Sequence, residues 1–163
     1  MLVSSKIATN YEDGVRRIKE ALESGAALEK LKEFVTNQGG NPMIAEDYSL
    51  FPQASHIVEI KSEKTGYIDK IEAEAIGVSA MVLGAGRETK EDELDLSAGI
   101  ILKKKVGDFV NEGDTLAVMY FNREEKFEDA KRRFMNAYII TEEKAEPKKL
   151  IYGVVTKDGI EKF

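Results

Sequence analysis

Between residues 84 and 113, glycine spacing limits what this 163-residue chain can fold into more than any other feature. Gly84-Ala85-Gly86-Arg87 comes first, and Lys105-Val106-Gly107-Asp108-Phe109-Val110 and then Gly113 follow. Glycine accepts positive φ without steric cost, so Gly107 and Gly113 permit left-handed corners. Asp108 can bond its own turn backbone, which makes the second run a predicted hairpin corner. Gly84 predicts a helix stop and a tight bend. The first run has a second reading as an anion site. Successive backbone N–H groups can converge as a nest, and Arg87 offers a planar fork to a phosphate or carboxylate. Short glycine motifs arise by chance, so these four residues alone favour the bend with an exposed arginine.

Composition narrows the class. The net charge is −6, with acids and bases interspersed, which argues against non-specific nucleic-acid binding. No cysteine is present, so disulfides and thiolate chemistry are excluded. That is compatible with a reducing cytosol. No apolar run approaches the ~20 residues that cross a bilayer, and Met1 to Lys6 lack the features of a signal peptide. A cytoplasmic protein with no nucleic-acid or membrane partner is expected.

Two amphipathic helices are predicted at the start. Thr9-x-x-Glu12 reads as a capping box, followed by Val15, Ile18 and Leu22 at helical spacing. Gly25 is the expected stop. Leu28, Leu31, Phe34 and Val35 mark the second helix, which should end at Gln38-Gly39-Gly40 with Pro42 beyond. Asn41 to Pro52 reads as a linker or surface loop. Strands are expected at His56–Lys61, Tyr67–Ile71, Gly99–Lys105 and Thr115–Tyr120, with a very short one between the turns at Gly107 and Gly113. On Thr115–Tyr120, Leu116 and Val118 should share one face. Ala73–Leu83 should be a short helix. Asn122-x-x-Glu125 should cap a last helix carrying Phe127, Ala130 and Phe134. Tyr138–Thr141 and Leu150–Val155 are further strands around a charged loop containing Pro147, and the terminal residues should fray. The order describes a mixed α+β domain with mainly antiparallel pairing.

Other chemistry-bearing candidates are weak. His56 is the only histidine, and no nucleophile with an orienting acid can be placed beside it. The acids from Glu88 to Asp95 lack the alternation and mid-loop glycine of a calcium loop. Lipoyl and biotinyl carrier domains use a half-motif like that around Gly107. They need a modifiable lysine at a hairpin tip, whereas Lys103, Lys104 and Lys105 are expected on a strand. Lys126, Lys131, Arg132 and Arg133 read as the wet face of the last helix.

Taken together and in order, the motifs resemble the C-terminal region of the pyrimidine-nucleoside phosphorylases, the thymidine phosphorylase family. Ser24-Gly25-Ala26-Ala27-Leu28-Glu29 and Gln38-Gly39-Gly40 are similar to the end of the family's central phosphate-binding domain. Gly66-Tyr67, Ile76-Gly77-x-x-Ala80-x-x-Leu83-Gly84-Ala85-Gly86-Arg87, Ala98-Gly99-Ile100 and Lys105-x-Gly107-Asp108-x-Val110-x-x-Gly113 continue the resemblance. Asn41 departs from the aspartate usual after the glycine pair.

The resemblance implies residues 1–43 as terminal helices of the central domain. It implies 44–163 as the C-terminal domain, α/β-hammerhead-like, with a mostly antiparallel sheet and two helices. It implies an enzyme that cleaves thymidine, uridine or deoxyuridine with inorganic phosphate, releasing base and pentose 1-phosphate. Such enzymes are homodimers, and the fragment alone is expected as a monomer. The family's phosphate, base and monovalent-cation ligands precede the equivalent of residue 1. No catalytic, substrate-binding or metal residue is therefore carried onto this chain, and no cofactor is expected. Gly84, Ala85, Gly86 and Arg87 are the candidate domain-closure loop, and Gly107, Asp108 and Gly113 are structural turns. A stand-alone scaffold module of the same fold is the alternative.

Overall fold

The computed structural model describes residues 1–144, 149 and 151–163. The chain divides into two compact units, Met1–Gln53 and Ala54–Phe163. The two helices, the glycine pair and the segment up to Gln53 lie together in the first unit.

In the first unit, α1 (Tyr11–Glu23) and α2 (Ala26–Asn37) form where predicted. The cap of α1 is shifted by one residue from the expected Thr9. Asn10 accepts from Asp13 N–H at 2.8 Å, and the Asp13 carboxylate accepts from Thr9 N–H at 3.0 Å. The reciprocal logic of a capping box is preserved. Gly25 takes φ 78° between the helices, as its placement predicts. The segment read as a loop contains two 3₁₀ turns, Pro42–Ala45 and Tyr48–Leu50, started by Asn41 and Asp47 side chains.

The second unit is mixed α+β, and its strand pairs are antiparallel. Its elements are β1 (His56–Lys61), β2 (Gly66–Ile71), α3 (Ala73–Ala80), β3 (Gly99–Leu102), β4 (Phe109–Val110), β5 (Thr115–Phe121), α4 (Glu124–Ala137), β6 (Tyr138–Thr141), β7 (Gly153–Thr156) and β8 (Gly159–Lys162). Sheets form in the orders β1-β5-β3, β4-β2-β6 and β7-β8. β3 stops at Leu102, so Lys103 to Lys105 lie beyond the strand expected to hold them. The terminal residues do not fray: β8 pairs with β7 across the Lys157-Asp158-Gly159 turn. The Pro147 loop lies outside the described residues, as does Leu150.

β1 alternates as its sequence dictates, with Ile60 buried and Ile57, Glu59 and Lys61 exposed. β5 does not alternate. It is the central strand of its sheet, and Leu116, Ala117, Val118 and Met119 are all buried. The core joins Ile60, Ile68, Leu83, Leu116, Met119, Phe121, Phe134 and Tyr138. On α4, Ala130 and Phe134 are buried and Phe127 packs at the margin. Ser79 of α3 donates to the Ala130 carbonyl at 2.7 Å, which satisfies a fully buried hydroxyl.

Candidate functional site: the glycine–arginine bend and the paired turns

α3 does not simply end. Its backbone widens into a π turn, Met81–Ala85, in which Gly84 takes φ 115°. Such π turns frequently mark functional sites. Val82 and Leu83 point into the core and hold the turn down. A Cβ on Gly84 would meet Asp95 Cβ at 3.1 Å, and one on Gly86 would meet Met81 Cγ at 2.8 Å. Gly86 is therefore demanded by space, and Gly84 by its positive φ, with Asp95 close behind it. Ala85 and Arg87 are exposed, and Arg87 makes no ion pair among the described residues. The four residues predicted as one bend do form one, with the cation at its outer end.

The segment that follows is organised by two aspartates. Asp92 accepts from Glu88 N–H and Thr89 N–H, both at 2.8 Å. The Thr89 backbone bond leads in holding its carboxyl below the usual range. Asp95 donates its N–H to the Gly84 carbonyl at 2.9 Å. Its Oδ1 accepts from Ser97 N–H at 2.9 Å and Ser97 Oγ at 2.7 Å, and its Oδ2 from Asn122 Nδ2 at 2.7 Å. The Ser97 hydroxyl is the main reason its pKa is lowered, with Asn122 adding to it. Lys126 of α4 pairs with Glu88 at 3.1 Å. This acidic run is a folded, bonded loop, and no cluster of three metal-ligating side chains occurs among the described residues.

Asn122 was expected to cap α4, and it does not. Arg123 holds that position without a side-chain bond. Asn122 Oδ1 instead accepts from Ser55 N–H at 2.7 Å and Ser55 Oγ at 2.6 Å, while Nδ2 also reaches Ser97 Oγ at 2.9 Å. Residues distant in sequence meet here, and no local pattern announces them.

Gly107, Asp108 and Gly113 form two turns of one design. In Lys105–Asp108, Asp108 N–H donates to Lys105 O at 3.1 Å and its carboxylate accepts from Lys105 N–H at 2.7 Å. In Asn111–Asp114 the same two bonds are 3.0 Å each. Gly107 and Gly113 take φ 92° and 88°. Gly107 N–H bonds Ile68 O, and Gly113 N–H bonds Ser62 O, both at 2.8 Å. Only glycine and aspartate recur between the two turns. Tyr138 OH donates to Lys104 O at 3.2 Å beside the first turn, and burial pushes its phenol up to about 12. The strands that flank Lys103 to Lys105, β3 and β4, lie in different sheets, so these lysines are not at the tip of a hairpin as a carrier domain requires.

His56 stacks on Phe121 at 5.1 Å, and Phe121 on Phe127 at 4.8 Å. This is aromatic packing. Two open depressions have volumes of ≈ 550 and ≈ 440 Å³. Their arginines are engaged: Arg16 with Asp13 and Glu20 on α1, Arg133 with Asp129 on α4. No helix is long and apolar enough to cross a membrane among the described residues.

The fold is thus an α+β, hammerhead-like domain preceded by two helices. Residues 67–141 match the pyrimidine nucleoside phosphorylase C-terminal domain family. The chain is 43% identical over 157 residues to the pyrimidine-nucleoside phosphorylase of Bacillus subtilis strain 168. It is 40% identical to that of Staphylococcus haemolyticus and 39% to that of Staphylococcus aureus strain USA300. Each match covers 96% of this chain and 36% of the relative, so the chain spans about a third of the relatives' length. Residues 67–141 thus carry the C-terminal domain of the pyrimidine nucleoside phosphorylases, and the chain is similar to the C-terminal part of these relatives.

Proposed function

We propose that this chain works as the C-terminal, cleft-covering lobe of a cytoplasmic, homodimeric pyrimidine-nucleoside phosphorylase. The reaction breaks the bond between C1′ and the base nitrogen and forms one between C1′ and a phosphate oxygen. Thymidine, uridine and deoxyuridine are the substrate class, and free base and pentose 1-phosphate the products. The observation that carries this reading is 43% identity sustained across 96% of the chain against 36% of a named phosphorylase. The 163-residue chain alone is inactive in this reading. Phosphorolysis needs phosphate held in line with a departing base, and preorganised donors supply much of the rate.

The lobe contributes by closing. Closure excludes water, strengthens the charge interactions inside, and favours phosphate over water as nucleophile. Gly84, Ala85, Gly86 and Arg87 form the contact that closes, because the bend carries an exposed cation that makes no ion pair among the described residues. Two assays test the reading. The isolated chain should give no free thymine or uracil above buffer background; measurable turnover overturns the assignment of catalysis to other polypeptide. In the full-length enzyme, Arg87→Ala should slow turnover without lowering the melting temperature. Unchanged turnover and phosphate dependence remove the closure role.

A further inference from the structure

We propose that Asn122 is a positioning residue for the Gly84–Arg87 bend, acting through Asp95; the inference rests on that bend being the closing contact. The side-chain amide offers two acceptor sites and two donors, and all four are used. Their placement fixes the amide's orientation. Oδ1 faces the Ser55 N–H and hydroxyl, and the opposite orientation would set it against the Asp95 carboxylate. One face of Asn122 therefore holds the chain where it enters the second unit, just after Gln53. The other face holds Asp95.

Asp95 transmits the restraint. Its N–H bonds the Gly84 carbonyl at 2.9 Å, and its Cβ lies where any Cβ on Gly84 would come within 3.1 Å. Moving Asp95 moves the one residue whose backbone turns the helix into the bend. Helix α4 forgoes a side-chain cap in this arrangement, since Arg123 makes none. A residue suited to local capping is committed instead to a bond across the fold.

The test combines amide exchange on the 163-residue chain with kinetics of the full-length enzyme. Asn122→Ala should speed exchange at Ser55 and Asp95 about tenfold, and at Met119 in β5 less than about twofold. It should lower kcat about tenfold in the enzyme. Asn122→Asp keeps an acceptor for Ser55 but opposes one carboxylate to another. It should preserve protection at Ser55 and lose it at Asp95. Combining Asp95→Asn with Asn122→Asp reverses donor and acceptor and should restore both Asp95 protection and turnover, a rescue that mere packing does not predict. Unchanged exchange at Asp95 in Asn122→Ala overturns the inference whatever the kinetics. Fast exchange with normal turnover, while Arg87→Ala is slow, overturns the positioning role and leaves the closing contact standing. If Arg87→Ala also turns over normally, the closing contact itself has failed, and the inference falls with it.

Discussion

The helical unit and the α+β unit both carry amphipathic helices, but only one of them buries its apolar faces. In Ala54–Phe163, α4 sets Ala130 and Phe134 at 0% exposure within the core. In Met1–Gln53, Ile18 is 53% exposed, Leu22 64% and Phe34 62%, and Ala8 is its one hydrophobic residue in the buried set. Helices this short are marginal in water without tertiary packing. What holds the first unit is polar and local: the Asn10–Asp13 cap and the Arg16 and Arg17 pairs to Asp13. The same periodicity that predicts a helix says nothing about whether its apolar stripe will be covered.

Truncating matched phenylalanines gives the largest contrast. Phe134→Ala should cost about 4 kcal/mol in denaturant unfolding, since it empties the core beneath Tyr138. Phe34→Ala should cost under about 0.5 kcal/mol. Equal losses would mean that the two units share one cooperative core. Gly66→Ala comes next. The added Cβ would lie 2.4 Å from the Thr141 carbonyl oxygen at φ 155°, forcing β2 from β6. A loss of roughly 3 kcal/mol is expected in the α+β unit, with the α1 and α2 amides unaffected in exchange. Asn10→Ala should remove about 1 kcal/mol from α1 and leave the core transition where it was.

The smallest effect is a pH dependence set at Asp13 in the helical unit. The Thr9 N–H leads in lowering the Asp13 carboxyl from its ordinary 3.8 to about 2, opposed by burial and helped by Arg16 and Arg17. A depressed carboxyl stabilises the fold above its unfolded value, and that contribution is lost as pH falls through the folded one. Far-UV ellipticity should therefore fall between pH 4 and about 2 in the wild type more than in Asp13→Asn. Identical curves would show that the cap does not hold the helix.

Much of the α+β unit was legible because its signals are local. Gly84, Gly107 and Gly113 occupy the positive-φ corners their spacing predicts, and in β1 the polar Glu59 and Lys61 flank the buried Ile60. Other features depend on partners far along the chain. Asn122 has the right neighbours for a helix cap, but Ser55 and Asp95 outcompete α4 for its amide. The continuous burial of β5 comes from its central place between β1 and β3, which periodicity cannot supply. For the candidate site, the bend could be read from glycines, whereas the aspartate wedged behind Gly84 could not. Space, rather than sequence pattern, puts it there.

The twin Gly107 and Gly113 turns also act as an error check on assembly. β4 has only two residues, too few to choose its own alignment against β2. A slip of one position would push Asp108 and Asp114, or Val106 and Glu112, into left-handed geometry at both corners together. The slip that brings Val106 and Glu112 to the corners costs steric strain at both, which disfavours that misalignment of so short a strand.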